Sequence, residues 1–290
     1  GPFEMTDPLP QLDEPHALVM LRPWVDVGNV GTIVMSRLER HLDAVEIGKL
    51  ARPGNFYDFT RYRPVISMQE GIRDVTIPNS FIHACKRDGA RDLMLFHLLE
   101  PHAFGEDFAQ GVTEVLRSMQ VKRYSLIGSM YDAVPHTRPL MVTGSVQGPE
   151  SEQQVKAAKV EESTYEGPTT IMYIANRFAV EHQMETASMI VHLPQYVQLE
   201  EDYSGAARLL ESLSVLYSLP DNLVDHKKGK AQYDEITQAL DSNPRLKEVV
   251  KQLERHYDSK PSQEPTPEET PLAPEVERFL KELDEDFSST

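Results

Sequence analysis

The sequence is poor in cysteine and in basic residues. Cys85 is the one cysteine among 290 residues, so no intrachain disulfide can form, which suits a reducing compartment. Only 29 Lys and Arg face 46 Asp and Glu, which leaves a formal net charge of −17. Because nucleic-acid affinity depends largely on cationic side chains that neutralise phosphates, we expect no DNA or RNA partner.

Long apolar runs are missing as well. No run approaches the roughly 18 to 20 residues that span a bilayer, and the acidic balance opposes binding to anionic lipid headgroups. No basic segment followed by an apolar one opens the sequence. We therefore expect a soluble, cytoplasmic protein without a membrane partner.

Strong catalytic signatures are also absent. The sequence contains no Walker A loop, GxGxxG, GxSxG, HExxH or paired CxxC motif. His97, Glu100 and His102 invite a metal interpretation, but alternation along a strand turns His97 away from the other two. We expect no metal and no cofactor, and we interpret Cys85 as a small buried hydrophobe.

Apolar and amphipathic segments alternate through the first two thirds of the chain. The run from Leu93 to Leu99 has no polar interruption except His97, as is typical of a parallel strand covered on both faces. Other strands are predicted at residues 16–24, 124–127, 139–146, 170–174 and 188–193, and helices at residues 30–42, 108–119 and 176–184. This alternation predicts an α/β fold with a largely parallel sheet flanked by helices.

The last third of the sequence has helical spacing up to residue 257 and is rich in proline directly after it. Helical spacing recurs at residues 206–217, 227–240 and 246–257, and five prolines follow within residues 259–274. An acidic amphipathic stripe that could dock in a partner's groove comes last, formed by Phe279, Leu280, Leu283 and Phe287. The predicted organisation is an N-terminal extension (1–14), an α/β core domain (15–218), a helical addition packed on the core (219–258), a linker (259–274) and an acidic tail helix (275–290).

A glycine-containing turn follows the first predicted strand. Its candidate binding residues are Trp24, Asp26, Gly28, Asn29 and Gly31. Free backbone N–H groups at the start of the next helix favour an anion there. The alternative is structural: the glycines permit a sharp turn while Asp26 caps the helix or pairs with an arginine.

A second polar segment follows the predicted strand at residues 124–127. It contains Pro135, His136, Thr137 and Arg138. His136 could serve as an acid or base, and the planar fork of Arg138 could hold a carboxylate or phosphate. The alternative is a rigid, proline-bounded connection that Arg138 ties to neighbouring loops. Since parallel strands end at one edge, we expect both polar segments on the same rim.

These segments also carry a family resemblance. WVDVGN at residues 24–29, Glu100-Pro101, VPHTRP at 134–139, YEGPT at 165–169 and LERHYD at 253–258 occur in this order. Together they resemble the bacterial branch of the proteasome assembly chaperone 2 family, over residues 15–287. The resemblance implies a phosphorylase/hydrolase-like α/β domain with a C-terminal helical addition, and a tendency to form homo-oligomers.

The resemblance also implies a function. Some relatives bind proteasome α subunits through a C-terminal tail of the form hydrophobic-Tyr-any residue, whereas this sequence ends in DFSST. We expect a non-enzymatic, assembly-chaperone-like protein whose partners are copies of itself and proteasome-like or other protein subunits. The alternative is a nucleoside or phosphate site, or a phosphorylase/hydrolase-like enzyme, that uses a rim of Asp26, His136 and Arg138.

Overall fold

A computed structural model describes residues 1–240 and 242–259 together with residues 278 and 281. The strands are β1 Phe3–Met5, β2 His16–Arg22, β3 Val45–Leu50, β4 Val65–Gln69, β5 Ile72–Thr76, β6 Phe81–Cys85, β7 Leu93–Leu99, β8 Arg123–Asp132, β9 Val142–Gly144, β10 Val146–Gln147, β11 Glu161–Glu162 and β12 Glu185–Pro194. The helices are α1 Val30–His41, α2 Gly105–Ser118, α3 Pro149–Ala157, α4 Met172–Glu181, α5 Tyr203–Tyr217, α6 His226–Leu240 and α7 Pro244–Ser259. The candidate tail residues Phe279, Leu280, Leu283 and Phe287 lie outside the described residues.

Ten of the strands form one mixed sheet. Its order is β1-β3-β6-β7-β2-β8-β12-β9-β11, with β10 paired to β12. The central strands β7, β2, β8 and β12 are parallel, whereas β1, β3 and β6 form an antiparallel edge. The predicted α/β fold with a largely parallel sheet flanked by helices is therefore confirmed.

Helices cover both faces of the sheet at its centre, and β2 carries apolar side chains on both of its sides. Val19 and Leu21 point to the core under α2 and α4, and Leu18 and Met20 point to the core under α1 and α5. Burial on both faces is what an uninterrupted apolar strand requires. Its carboxyl end, together with those of β8 and β12, forms the rim on which the predicted polar segments converge.

The structure differs from the prediction at residues 170–174. This segment was predicted as a strand, but α4 begins at Met172, which is fully buried together with Ala175. A short apolar run suits a buried helix start as well as a strand, so periodicity alone could not separate the two. The antiparallel edge and the β4–β5 hairpin were not predicted from the sequence.

The C-terminal helices pack beside the rim. Helix α6 lies against α5, and α7 buries Val249, Val250 and Leu253. The backbone N–H of Leu246 donates to Oδ1 of Asn243 at 3.2 Å, so the Asn243 side chain caps α7, which begins at Pro244. Within the described ranges, no helix combines the length and the apolar character needed to cross a bilayer.

Candidate functional site

The turn after β2 is organised by the carboxylate of Asp26. Its Oδ1 accepts hydrogen bonds from the backbone N–H groups of Gly31 at 2.6 Å and Thr32 at 3.2 Å, and its Oδ2 accepts from Thr32 Oγ1 at 2.5 Å. Asp26 is buried, and desolvation raises the pKa of its carboxyl while these hydrogen bonds oppose the rise. The protein's own carboxylate thus occupies the helix N-terminus where an external anion would bind. This geometry favours the structural interpretation of the turn.

Two residues of this turn pack against the start of α5. Gly28 has a φ of +60°, and a Cβ there would lie 2.9 Å from the Cβ of Asp202, so a side chain is excluded on both grounds. Asn29 donates from Nδ2 to the carbonyl of Glu200 at 2.9 Å. Trp24, by contrast, is 55% exposed.

His136 is buried in a network of hydroxyl groups. Its backbone N–H donates to Tyr196 Oη at 2.8 Å, its Nδ1 lies 2.6 Å from the same Oη, and its Nε2 lies 3.1 Å from Thr237 Oγ1. Burial lowers the pKa of His136, which favours the neutral form of the ring. The imidazole therefore joins the strand rim to α6.

The neighbouring residues hold α7 against the rim. Thr137 Oγ1 donates to Glu254 at 2.5 Å, and Arg138 donates from Nε and Nη2 to the two carboxylate oxygens of Asp258 at 2.8 and 2.7 Å. Tyr257 Oη donates to the carbonyl of Pro139 at 2.9 Å. We call Thr137, Arg138, Glu254, Tyr257 and Asp258 the α7 clasp. The planar guanidinium of Arg138 is therefore bound within this clasp, as the structural interpretation predicts.

Two residues not singled out from the sequence connect the two polar segments. Asp202 packs against Gly28, caps α5 by accepting from Gly205 N at 2.7 Å, and accepts from Tyr233 Oη at 2.8 Å. The Tyr233 ring in turn meets His136 edge-on at 5.8 Å. An Asp directly before an amphipathic helix is a cap signal that sequence analysis could have used for Asp202.

A cavity of about 280 Å³ opens between the second segment, α5 and α6. Its basic wall is formed by Arg138, Arg208, His226 and Lys230, and Glu211 is the acidic residue of the lining. The volume lies just below the range usual for small-molecule sites. Each residue of this wall also contacts a carboxylate: Arg138 contacts Asp258, Arg208 and His226 contact Glu211, and Lys230 contacts Asp234.

Three strand residues form a relay near the same edge of the sheet. His192 Nδ1 lies 2.7 Å from Asp132 Oδ2, and its Nε2 lies 2.7 Å from Thr143 Oγ1. This order of carboxylate, imidazole and hydroxyl orients the ring and polarises the hydroxyl. The members come from β8, β12 and β9, so nothing in their sequence spacing indicates the relay.

The β4–β5 hairpin forms a two-stranded sheet of its own. Its apolar side chains, with the one that follows, are each 49–71% exposed: Val65, Ile66, Met68, Ile72, Val75 and Ile77. By the register, Ile66, Met68 and Val75 share one face of the hairpin, and Val65 and Ile72 lie on the other. A lone hairpin is marginal in water, and exposed apolar surface on this scale usually marks a protein contact. We call these six residues the hairpin patch.

Comparison with known families decides the relationship. Residues 20–242 match the sequence profile of the PAC2 family. The chain belongs to the PAC2 family. The predicted membership in the proteasome assembly chaperone 2 family is thereby confirmed, although no curated protein sequence matches the chain.

Solved structures show the same PAC2-family fold. A Corynebacterium glutamicum protein of unknown function is 20% identical with a TM-score of 0.77, over 89% of this chain and 97% of that one. A Mycobacterium tuberculosis proteasome-assembly chaperone homologue is 24% identical with a TM-score of 0.70, over 81% and 99%. PbaB, an archaeal proteasome activator from Pyrococcus furiosus, is 14% identical with a TM-score of 0.62, over 83% and 97%.

Proposed function

We propose that this PAC2-family chain is a non-enzymatic protein-binding protein that associates with itself and assists the assembly of protein subunits. The hairpin patch carries the proposal, because five apolar side chains in one hairpin, with Ile77 directly after it, are costly to leave in water. Relatives with the same fold are named a proteasome-assembly chaperone homologue and a proteasome activator, which supports protein subunits as partners.

The occupant that best fits the hairpin patch is a second copy of this chain. Residues 61–77 include the hairpin and carry three basic residues, Arg61, Arg63 and Arg73, and two acidic ones, Glu70 and Asp74. The chain as a whole has a net charge of −17. A slightly basic, apolar hairpin is therefore complementary to the acidic surface of another copy. Its unpaired strand edges add backbone groups that a second chain can satisfy.

The rim supports a non-enzymatic role as well. Asp26 caps α1, His136 is held by Tyr196 and Thr237, and Arg138 is engaged in the α7 clasp. All three residues of the alternative enzyme hypothesis thus have partners within the chain. Their arrangement supports a scaffold in which the rim orients the C-terminal helices.

Self-association is tested by sedimentation of the full chain. We expect wild type to form an oligomer and the double variant Ile66→Asp, Ile72→Asp to sediment as a monomer with an unchanged circular dichroism spectrum. Val215→Asp is the matched control, because Val215 is 53% exposed on α5, outside the patch. A monomeric wild type, or an oligomer that the double variant leaves intact, would contradict a self-contact through the hairpin.

Subunit binding is tested by affinity capture from lysate of the native host. Full-length protein is compared with a version truncated after Asp258, and the retained proteins are identified by mass spectrometry. Recovery of proteasome subunits supports the assembly role, and its dependence on residues 259–290 would locate the contact. Recovery of the bait alone would remove the chaperone function while leaving self-association standing.

A small anionic ligand in the cavity is the second candidate function. The basic wall beside His136 and Arg138 favours it, since Arg138, Arg208 and Lys230 line the cavity together with His226, and one acidic residue lines it with them. We expect nucleotides or phosphate to raise the melting temperature of wild type more than that of Lys230→Ala. Lys227→Ala, on the same helix but outside the cavity lining, is the control. Equal shifts in all three proteins would exclude this site.

A further inference from the structure

Two histidines and a glutamate converge where α1 packs on the sheet. His83 lies on β6 and His97 on β7, and the register pairs Phe81 with His97 and His83 with Leu95. Because side chains alternate along a strand, both imidazoles stand on the same face. Helix α1 covers that face and places Glu39 between them.

The facing atoms lie close together. Glu39 Oε1 is 2.6 Å from His97 Nε2 and 3.2 Å from His83 Nδ1, and one ligand atom from each residue lies within 4.8 Å of the others. The two rings meet edge-on with centroids 5.5 Å apart. Three elements distant in sequence thus direct two nitrogens and one oxygen into a single small space.

These three atoms are buried, and none has a hydrogen-bond partner outside the cluster among the residues that the structure describes. Within the described residues, Glu39 Oε1, His83 Nδ1 and His97 Nε2 are shielded from solvent, and none makes a hydrogen bond of acceptable geometry. A buried carboxylate oxygen and two buried ring nitrogens without partners carry a substantial desolvation cost. An ion pair with a well-aligned N–H would offset that cost, but the short contacts lack the required alignment.

A metal ion satisfies all three atoms at once. Imidazole nitrogen and carboxylate oxygen bind Zn²⁺ at about 2.0–2.2 Å, which sets neighbouring ligand atoms of a tetrahedral site roughly 3.4 Å apart. The present separations need small shifts to reach that geometry. The side chains of Glu39, His83 and His97 are 25%, 21% and 14% exposed, and the three of them supply three ligand atoms, which leaves the fourth position of a tetrahedral ion to water.

We propose that Glu39, His83 and His97 bind one divalent transition-metal ion of the Zn²⁺ type, with water as the fourth ligand. The ion links α1 to β6, in the antiparallel edge of the sheet, and to β7, where that edge joins the parallel centre. This role is structural and independent of the proposed protein-binding function. The sequence-based expectation of no metal weighed His97 with Glu100 and His102, whereas the fold brings His97 to residues from two other elements.

The test is Zn²⁺ titration of the metal-free full chain by calorimetry, with the bound metal counted by mass spectrometry. We expect one tightly bound ion per chain and at least tenfold weaker binding in each of Glu39→Gln, His83→Gln and His97→Gln. His41→Gln is the matched control, since His41 is an exposed histidine at the end of the same helix. Zn²⁺ should also raise the melting temperature of wild type and of His41→Gln, and it should leave the melting temperatures of the three ligand variants unchanged.

Several outcomes would overturn the site. Wild type that takes up no stoichiometric Zn²⁺ excludes it, as does a set of ligand variants that bind as tightly as His41→Gln. If a ligand variant does not fold, X-ray absorption of the wild-type zinc complex decides instead. Two imidazoles in the first coordination shell support the proposal, and a shell of oxygen ligands alone would assign the ion to the acidic surface.

Discussion

The guanidinium of Arg138 donates two hydrogen bonds, of 2.8 and 2.7 Å, to the carboxylate of Asp258, which lies 120 residues further along the chain. The two partners belong to VPHTRP and LERHYD, segments that carry the family resemblance independently in the sequence. In the fold these segments meet, so part of the motif pattern reflects one contact between the strand rim and α7.

Breaking this contact should loosen α7 selectively. In Arg138→Ala we expect faster amide hydrogen exchange across residues 244–259, because the helix loses its fork to the rim, and unchanged exchange in β8 and β12. Arg255→Ala is the control, since Arg255 pairs with Glu248 within the same helix. Equal acceleration in both variants would mean that the clasp does not hold the helix.

The clasp should also resist mild acid. Its hydrogen bonds lower the pKa of Asp258 below the ordinary value of 3.8. A carboxylate whose pKa is depressed by folding stabilises the fold above its unfolded pKa, and that contribution is lost as pH falls through the folded value. Exchange of α7 amides, corrected for the intrinsic pH dependence, should therefore stay slow down to about pH 4. Release of α7 at pH 5 to 6 would contradict this assignment.

Removal of the Asp26 carboxylate should destabilise the start of α1. Asp26→Ala leaves two backbone N–H groups and a hydroxyl without their acceptor, and loss of such a cap typically costs about 1–2 kcal/mol. Urea unfolding measures this loss. Asp26→Asn keeps an acceptor oxygen and should retain most of the stability. If both variants matched wild type, the cap would contribute little.

The relay of Asp132, His192 and Thr143 allows a matched pair of substitutions. Thr143→Val removes the hydroxyl next to His192 Nε2 with little change in shape, and an unpaired buried polar atom costs roughly 1–3 kcal/mol. Thr143→Ser keeps the hydroxyl and should unfold close to wild type in urea. A valine variant as stable as the serine variant would show that water replaces the threonine.

Acid should weaken the fold through His16. Burial, with Arg123 and Arg91 nearby, lowers the pKa of His16 from 6.5 to about 3. Between these values the unfolded chain binds the proton and the folded chain does not, so stability falls with falling pH, by up to about 1.4 kcal/mol per pH unit from this group. His16→Gln should reduce this slope in urea unfolding between pH 6.5 and 4. Parallel slopes would contradict the assignment.

Local sequence patterns were enough to predict the strands and helices at the parallel centre of the fold. The apolar run of β7 and the helical spacing of α1 predict their structures, because each buries side chains with the period of its own geometry. The same rules fail at residues 170–174, where a run too short to show a period begins α4. They also miss the hairpin patch, since alternation predicts burial and these side chains have no partner within the described chain.

By itself the sequence determined the fold class, the family and the location of the two polar segments, because these follow from periodicity and from short motifs that need no partner. Only the tertiary structure decided what those segments do. Asp26, His136 and Arg138 could each have faced a ligand or a neighbour, and that choice depends on side chains such as Thr32, Tyr196 and Asp258. The site of Glu39, His83 and His97 arises in the same way, because distances between elements far apart in the sequence are set only when the helices and the sheet pack together.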